Sequence, residues 1–167
     1  TISYGLISEG KILSYSNYYI NTMEAVHNQT DLKELSHIII RLMKYNKEDR
    51  IDFIIVPKGG NPLLAQYIAN ELGVDLIIAK DINDSARPQE NNELDRIGRI
   101  KYEGLNLVLE RTHTRQFKGV ILDCNTSGGT QLATIASDFN ELVKKCSFPI
   151  NTICDCYVLF KLVKVDV

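Results

Sequence analysis

The sequence of 167 residues lacks several features that would place it in a particular class of protein. No apolar run approaches the ~18 residues that a membrane-spanning helix needs, and the longest runs, such as residues 51–56, suit buried strands. Basic and acidic residues number 19 and 21, so no excess of positive charge predicts binding to nucleic acid or to an anionic membrane. We therefore expect a soluble protein in which any phosphate ligand is bound by a local site.

Metal-binding and targeting patterns are also missing. The four cysteines form no CxxC pair and have no histidine close in sequence, so they predict buried reduced thiols rather than a zinc site. The first ten residues have neither the basic start nor the long apolar stretch of a secretory signal. These absences predict a cytosolic protein. The first residue is Thr1 rather than Met, which leaves open whether the chain is a piece of a longer one.

The composition is sufficient for one packed domain. Hydrophobic residues make up 44% of the chain and charged residues 24%, with a mean hydropathy of −0.11. A globular chain of this length buries roughly two thirds of the surface of its unfolded form. Because no Gly/Ser linker, low-complexity segment or internal repeat divides the sequence, we predict a single domain over residues 1–167.

Alternating strand-like and helix-like segments predict an α/β fold with an open parallel sheet flanked by helices. Strands are predicted over residues 51–56, 74–79, 105–109, 119–122 and 153–162. Helices are predicted over residues 31–46, 62–72 and 131–145. Asp31 is the expected N-cap of the first helix, and Asn61 and Gly73 are expected to bound the second. The polar segment 81–104 has no regular hydrophobic period, so it predicts a long flexible loop.

The segment with the clearest chemistry is VILDCNTSGGT, residues 120–130, in which a buried strand passes through Asp123 into a loop of small residues and then a helix. Glycines allow a ligand to approach the backbone, amides and hydroxyls donate hydrogen bonds, and a helix N-terminus favours negative charge. The alternative is a plain turn between a strand and a helix. The loop fits neither GxxxxGK[ST] nor GxGxxG, which disfavours a nucleoside triphosphatase or a Rossmann dehydrogenase. We predict a phosphate-binding loop formed by Thr126, Ser127, Gly128, Gly129 and Thr130.

A second turn, formed by Pro57, Lys58, Gly59 and Gly60, follows the first buried strand and precedes a helix. Parallel strands end at a common edge, and open α/β sheets bind ligands there. The two turns are therefore predicted to lie at one site. The alternative is a Pro/Gly turn with a solvated lysine.

These segments resemble the type I phosphoribosyltransferases, whose signature is a strand, two adjacent acids, two variable residues and a TTGGT-like loop. Residues 122–130, LDCNTSGGT, align with that signature without a gap. The resemblance implies that residues 126–130 bind the 5-phosphate of phosphoribosyl pyrophosphate and that residues 58–60 bind its pyrophosphate. It also implies that Asp123 binds the ribose, acts in catalysis and helps to hold Mg²⁺. Leu122 departs from the pattern, because the family has its first acid there.

Two further segments carry weaker resemblance. Residues 10–21 are similar to the base-binding hood of orotate phosphoribosyltransferases, which implies a hood over residues 1–30 in which Lys11, Tyr19 and Ile20 bind the base. The alternative for these residues is a half-buried strand or hairpin that binds no ligand. The segment 81–104 corresponds to the family's mobile catalytic loop. Lys80 keeps one of its cationic positions, and Arg99 is a candidate for another, although such charges are also typical of a solvated loop.

The resemblance implies an enzyme that transfers ribose 5-phosphate from phosphoribosyl pyrophosphate to a small nitrogenous base, with an orotate-like base as the candidate acceptor, and releases pyrophosphate. It also implies Mg²⁺ as cofactor and a homodimer whose loops cross between subunits. The alternative, suggested by Leu122 and the depleted loop, is a non-catalytic sensor that binds a nucleotide monophosphate or a phosphoribosyl compound and signals to a partner. The sequence identifies neither the acceptor base nor the oligomeric state.

Overall fold

The computed structural model describes residues 2–9, 12–20, 26–45, 50–81, 96–97, 100–111, 116–126, 129–151, 153 and 155–161. The strands are β1 (Ile2–Glu9), β2 (Ile12–Ile20), β3 (Phe53–Pro57), β4 (Asp75–Asp81), β5 (Arg96–Ile97), β6 (Ile100–Glu103), β7 (Gly119–Thr126) and β8 (Cys156–Lys161). The helices are α1 (Gln29–Tyr45), α2 (Pro62–Leu72), α3 (Leu105–Glu110) and α4 (Thr130–Cys146).

Six of the strands form one sheet, in the order β5-β6-β4-β3-β7-β8. Strands β4, β3, β7 and β8 are parallel, whereas β6 and β5 add to one edge in the antiparallel direction. The predicted α/β fold is confirmed, but the sheet is mixed rather than wholly parallel. Strands β1 and β2 pair with each other in a separate antiparallel sheet, which occupies part of the segment predicted as a hood.

The core consists of two apolar layers, one on each face of the sheet. Helices α1 and α2 cover one face, where Ile54, Val56, Leu64 and Leu122 are fully buried. Helices α3 and α4 cover the opposite face, where Phe139 of α4 is fully buried against the sheet. Since successive strand residues point to opposite faces, apolar residues in unbroken runs supply both layers, as expected for a doubly covered sheet.

The predicted loop over residues 81–104 is wrong for its last part, because residues 96–97 and 100–103 are strands. Ile100 and Tyr102 are buried on the α4 face, and the two residues that alternate with them are polar. This alternation is typical of a strand at the edge of a sheet, but the surrounding charges obscure it in the sequence. Residues 82–95 and 98–99 lie outside the described part of the chain.

The strand predicted over residues 105–109 is also wrong, because Leu105–Glu110 forms the helix α3. The sequence LNLVLE alternates like a strand, yet leucine is a strong helix former and Leu105 and Val108 can share one face of a helix. Both are fully buried, and Leu107 is 62% exposed. Gly104 precedes the helix with φ of 94°, a conformation that glycine adopts without strain.

The antiparallel strand β6 is attached to α4 through Tyr102. The Tyr102 hydroxyl lies 3.0 Å from the Asp138 carboxylate and 3.2 Å from the carbonyl oxygen of Ile135. Burial raises the pKa of Tyr102 above its ordinary range, and the pKa of Asp138 is also raised, mainly by burial. The phenol therefore stays protonated and links the antiparallel edge to the helix.

The helix ends agree with the sequence in one case and differ in another. Helix α2 begins after Asn61, whose side chain accepts a hydrogen bond from the Leu64 amide, and it ends at Gly73, as predicted. Helix α1 begins at residue 29 rather than 31. Its cap is Asn28, whose side chain accepts from the Thr30 amide at 2.9 Å, so the predicted Asp31 cap is wrong. Asparagine is as good an N-cap as aspartate, so composition could not separate them.

The cysteine prediction is confirmed only in part. Cys124 is buried, Cys146 is partly exposed and Cys156 is exposed, and all three are free thiols. Within the described ranges, His, Cys, Asp and Glu side chains nowhere form a group of three or more that could hold a metal ion. None of the helices described has the length and apolar character that a bilayer crossing requires.

Candidate phosphate-binding site

The candidate site lies at the carboxyl ends of β3 and β7, the two central strands among the four parallel ones. From β3 the chain passes through α2 to β4 on one side, and from β7 it passes through α4 to β8 on the other. The two helices cover opposite faces of the sheet. The chain therefore leaves β3 and β7 in opposite directions, which creates the crevice where open α/β sheets bind ligands.

The pairing of β3 with β7 ends before either strand does. The ladder extends from Phe53 opposite Gly119 to Ile55 opposite Ile121. Strand β3 continues to Pro57, where it still pairs with Ala79 of β4. Beyond Ile121, β7 stays paired with β8 through Thr126. The ends of the two central strands thus separate from each other while each keeps its outer neighbour.

The turn of residues 57–60 lies at this opening and is attached to the strands on both sides. Within the turn, the Gly60 amide donates to the Pro57 carbonyl at 2.8 Å. Toward β4, the Lys58 amide donates to the Ala79 carbonyl at 2.9 Å. Toward β7, the Cys124 thiol donates to the Gly60 carbonyl, with Sγ and O 3.2 Å apart. The backbone of the turn is therefore held in place without a ligand.

Asp123 places a carboxylate directly beside the turn. The residue is 5% exposed and belongs to the part of β7 that has separated from β3. A Cβ atom built on Gly60 would lie 2.9 Å from Asp123 Oδ1. The carboxylate and the Gly60 backbone are therefore close neighbours.

Two helices begin at the crevice, and neither has an acidic residue in its first turn. Helix α2 follows the turn of residues 57–60, and helix α4 begins at Thr130 after Gly129, which has φ of 74°. A Cβ on Gly129 would meet no atom of the described residues within 4 Å. Helix N-termini carry partial positive charge and favour anions. The crevice is thus suited to phosphoryl groups.

Gly60→Ala is expected to destabilise the fold. The added Cβ would lie 2.9 Å from Asp123 Oδ1 and 3.2 Å from the Pro57 carbonyl oxygen, so the carboxylate and the turn must move apart. Overpacking of this kind costs about 1–3 kcal/mol of unfolding free energy. Gly59→Ala is the matched control, since a Cβ there meets nothing within 4 Å. Chemical denaturation of both variants tests this, and equal midpoints would contradict the close approach.

Lys80, predicted as a catalytic cation, lies next to the turn but is already paired. It follows Ala79, the residue that anchors the turn, on the last part of β4. Its Nζ is 2.5 Å from Glu103 Oε2 on β6, and both side chains are about one third exposed. The Glu103 carboxylate would therefore compete with an anion in the crevice for Lys80.

The structure brings part of the predicted site together. Lys58, Gly59, Gly60, Lys80 and Asp123 lie at one edge of the sheet, with Thr126 ending β7 and Gly129 and Thr130 at the start of α4. Ser127, Gly128, Arg99 and Lys11 lie outside the described residues. The backbone of Tyr19 and Ile20 belongs to β2, opposite Ser3 and Ile2. The roles of all these residues stay predictions.

Sequence reasoning missed two residues of this region. Cys124 was assigned only as a buried thiol, although it contacts the turn, and Glu103 was not singled out as the partner of Lys80. Both contacts join segments distant in sequence. The prediction that both turns lie at one edge of the sheet could have suggested the first, whereas the second requires β6, which lies in the segment that the sequence predicts as a loop.

Solved structures similar to this chain include adenine and orotate phosphoribosyltransferases. The adenine enzyme of Saccharomyces cerevisiae, complexed with an iminoaltritol bisphosphate and adenine, superposes with a TM-score of 0.57 at 17% identity, over 95% of this chain and 83% of that one. The orotate enzyme of Aeropyrum pernix gives 0.58 at 14%, over 96% and 75%. The adenine enzyme of Trypanosoma brucei, in complex with AMP, pyrophosphate and ribose-5-phosphate, gives 0.56 at 16%, over 95% and 64%.

The chain has the type I phosphoribosyltransferase fold. Sequence identities of this size show the fold and leave the substrate open. Neither protein-family models nor curated protein sequences give a match to the chain. The resemblance inferred from residues 122–130 is therefore confirmed at the level of the fold.

Proposed function

We propose that this protein binds phosphoribosyl pyrophosphate and transfers its ribose 5-phosphate to a nitrogenous base with release of pyrophosphate. The observation that carries the proposal is the meeting of the turn of residues 57–60 with Asp123 at the crevice between β3 and β7. The fold shared with adenine and orotate phosphoribosyltransferases supports it. No protein nucleophile is required, since the reaction passes through an oxocarbenium-like sugar.

In this proposal each part of the crevice binds one part of the substrate. Residues 126–130 and the N-terminus of α4 bind the 5-phosphate, and Asp123 accepts hydrogen bonds from the ribose hydroxyls. The amides of residues 58–60, with Lys58 and Lys80, bind the departing pyrophosphate. The contribution of these groups is to position the reactants and to stabilise the negative charge that develops on the leaving group.

A magnesium ion belongs to the same proposal. Mg²⁺ keeps several waters and is commonly held by one or two carboxylates together with substrate phosphates. Asp123 is a buried carboxylate at the crevice, and Leu122, at the position of the family's first acid, is packed in the core. A single protein carboxylate is sufficient for a Mg²⁺ ion that is bound mainly by the pyrophosphate group of the substrate. Bound there, Mg²⁺ would neutralise charge on the leaving pyrophosphate.

The acceptor base and the assembly are finer parts of the proposal. An orotate-like base, bound by Lys11, Tyr19 and Ile20, is the candidate suggested by the hood resemblance, and the adenine enzymes among the similar structures make adenine the competing acceptor. A panel of orotate, uracil, adenine and hypoxanthine separates them. A homodimer in the cytosol completes the proposal, and sedimentation velocity tests the dimer.

The second candidate function is a sensor that binds a phosphoribosyl compound or a nucleotide monophosphate without catalysing transfer. Two observations favour it, namely the burial of Leu122 in the core and the pairing of Lys80 with Glu103. With Leu122 in the core, Asp123 is the single acid of the signature. The pairing with Glu103 neutralises Lys80, a cation that transfer would use.

Titration and turnover assays distinguish the two functions. The protein is titrated calorimetrically with phosphoribosyl pyrophosphate, AMP, ribose 5-phosphate and inorganic pyrophosphate in the presence of Mg²⁺, and pyrophosphate release is then measured with each base. Base-dependent release supports the transferase. Binding without release from any base supports the sensor, and a protein that binds none of the four ligands contradicts both functions.

Glu103→Gln is expected to strengthen binding of inorganic pyrophosphate by up to about fivefold, because it releases Lys80 from an ion pair of the kind worth up to about 1 kcal/mol. Isothermal titration at low ionic strength measures the change. Glu71→Gln, at an exposed position near the end of α2, is the matched control and should leave the affinity as it is. An unchanged affinity in Glu103→Gln would remove Lys80 from the pyrophosphate site.

A further inference from the structure

We propose that Cys124 is a positioning residue of this site, whose thiol holds the turn of residues 57–60 against β7 so that the turn and Asp123 face the same ligand. The inference rests on the proposed function, because it takes this turn as the pyrophosphate-binding part of the site. It assigns the thiol no chemical step.

The geometry around Gly60 carries the inference. Cys124 Sγ lies 3.2 Å from the Gly60 carbonyl oxygen, and Asp123 Oδ1 lies 2.9 Å from where a Gly60 Cβ would be. Successive residues of a strand point to opposite faces of the sheet. Cys124 packs in the apolar layer beneath α1 and α2. Two neighbouring side chains of β7 thus contact Gly60 from different sides, and they determine its position relative to that strand.

The thiol also connects the two segments that are proposed to bind phosphoryl groups. The other hydrogen bonds described above for the turn are internal, from Gly60 to Pro57, or directed to β4, from Lys58 to Ala79. The bond from Cys124 is directed to β7 instead, two residues before Thr126 at the end of that strand. A ligand that spans both segments requires the distance between them to be constant, and this bond restricts that distance.

The thiol is suited to a structural role. Cys124 is 2% exposed, so oxidants and metal ions have little access to it. A thiol is a weak hydrogen-bond donor, and in an apolar environment a cysteine packs as a small hydrophobic residue. Removing the donor leaves the Gly60 carbonyl without this partner, which favours displacement of the turn toward other hydrogen-bonding groups.

Cys124→Ala and Cys124→Ser test the inference in the full chain. Both remove the volume of the sulfur almost equally, but only serine retains a donor, so the difference between them reports the hydrogen bond rather than packing. We expect Cys124→Ala to weaken binding of inorganic pyrophosphate about 3- to 10-fold and Cys124→Ser to recover part of that loss. Affinity for ribose 5-phosphate should stay within twofold in both variants. Cys156→Ala, at an exposed cysteine, is the control.

Amide hydrogen exchange without ligand provides a second measurement. Exchange at residues 58–60 should accelerate in Cys124→Ala relative to the natural protein, with no change in Cys156→Ala. The positioning role would be overturned if residues 58–60 exchanged at the same rate in Cys124→Ala as in the natural protein. It would also be overturned if Cys124→Ser bound pyrophosphate as weakly as Cys124→Ala. If the natural protein binds none of phosphoribosyl pyrophosphate, AMP, ribose 5-phosphate and pyrophosphate, the proposed function fails, whereas exchange still shows whether Cys124 holds the turn.

Discussion

Asp123→Asn is expected to slow base-dependent release of pyrophosphate by a factor of about 10²–10³, the usual effect of removing one preorganised charged partner from an active site. Asparagine has nearly the same shape as aspartate, so packing beside Gly60 is kept while the negative charge is lost. Under the proposed function, the neutral side chain would hold Mg²⁺ less strongly, and its amide group would accept hydrogen bonds from ribose hydroxyls less well. The rate is measured with saturating phosphoribosyl pyrophosphate, Mg²⁺ and the base found to be active.

Asp75→Asn is the matched control for this prediction. Asp75 begins β4, at the edge of the sheet opposite the crevice, and pairs with Arg111 at 2.8 Å. Loss of that partly exposed pair should alter stability by less than about 1 kcal/mol and leave turnover unchanged. A normal rate in Asp123→Asn would remove the carboxylate from the transfer step. If the protein is a sensor, the affinity for ribose 5-phosphate is measured instead, and an unchanged affinity would exclude ribose binding by Asp123.

Much of the site could be predicted because its parts are local in sequence. Asn61 and Gly73 bound α2 through short-range capping bonds, and Asp123 directly follows the apolar run of residues 120–122 within β7. The site also depends on one feature that joins segments distant in sequence, the adjacency of β3 and β7. The sequence predicts only that both turns lie at a common edge of the sheet, where open α/β sheets bind ligands.

The antiparallel edge could not be predicted in the same way. Ile100 and Tyr102 give only two apolar positions among charged neighbours, and they become a strand because β4 offers an edge and α4 covers Tyr102. Residues 105–109 illustrate the opposite error. Their alternation fits a strand, but the buried residues are Leu105 and Val108, which share one face of a helix. In both cases packing against distant segments decides the structure, and this packing cannot be inferred from a short window of sequence.

Leu122 is the position where the sequence alone allowed two interpretations. It stands where the related signature has an acid, so it could be a degraded ligand-binding residue or a residue of the core. In the structure it is fully buried with Ile54, Val56 and Leu64, on the face covered by α1 and α2. Cys124 lies in the same apolar layer, and Asp123, between them, approaches Gly60. Leucine in place of the acid at position 122 therefore adds an apolar residue to the core directly beside the candidate site.

Leu122→Asp is accordingly expected to unfold the protein or leave it barely stable. A carboxylate in this layer would be buried without a described cationic partner in the cluster, which costs about 3–5 kcal/mol, and the lost leucine contacts cost roughly 2–5 kcal/mol more. Domains of this size are stable by about 5–15 kcal/mol. Circular dichroism during thermal and urea unfolding measures the loss. Leu63→Asp, at a leucine that is 57% exposed on α2, should change stability by only about 0.5 kcal/mol.

Pyrophosphate release by Leu122→Asp separates the remaining alternatives. The introduced carboxylate would enter the apolar layer beneath α2. If the variant folded and released pyrophosphate faster, the strand must have rotated this carboxylate toward the crevice. The natural protein would then be a transferase weakened by its leucine. Leu122→Met, which conserves volume, should cost less than about 1.5 kcal/mol and leave release unchanged. Stability lost in the aspartate variant and kept in the methionine variant would show that position 122 serves the core.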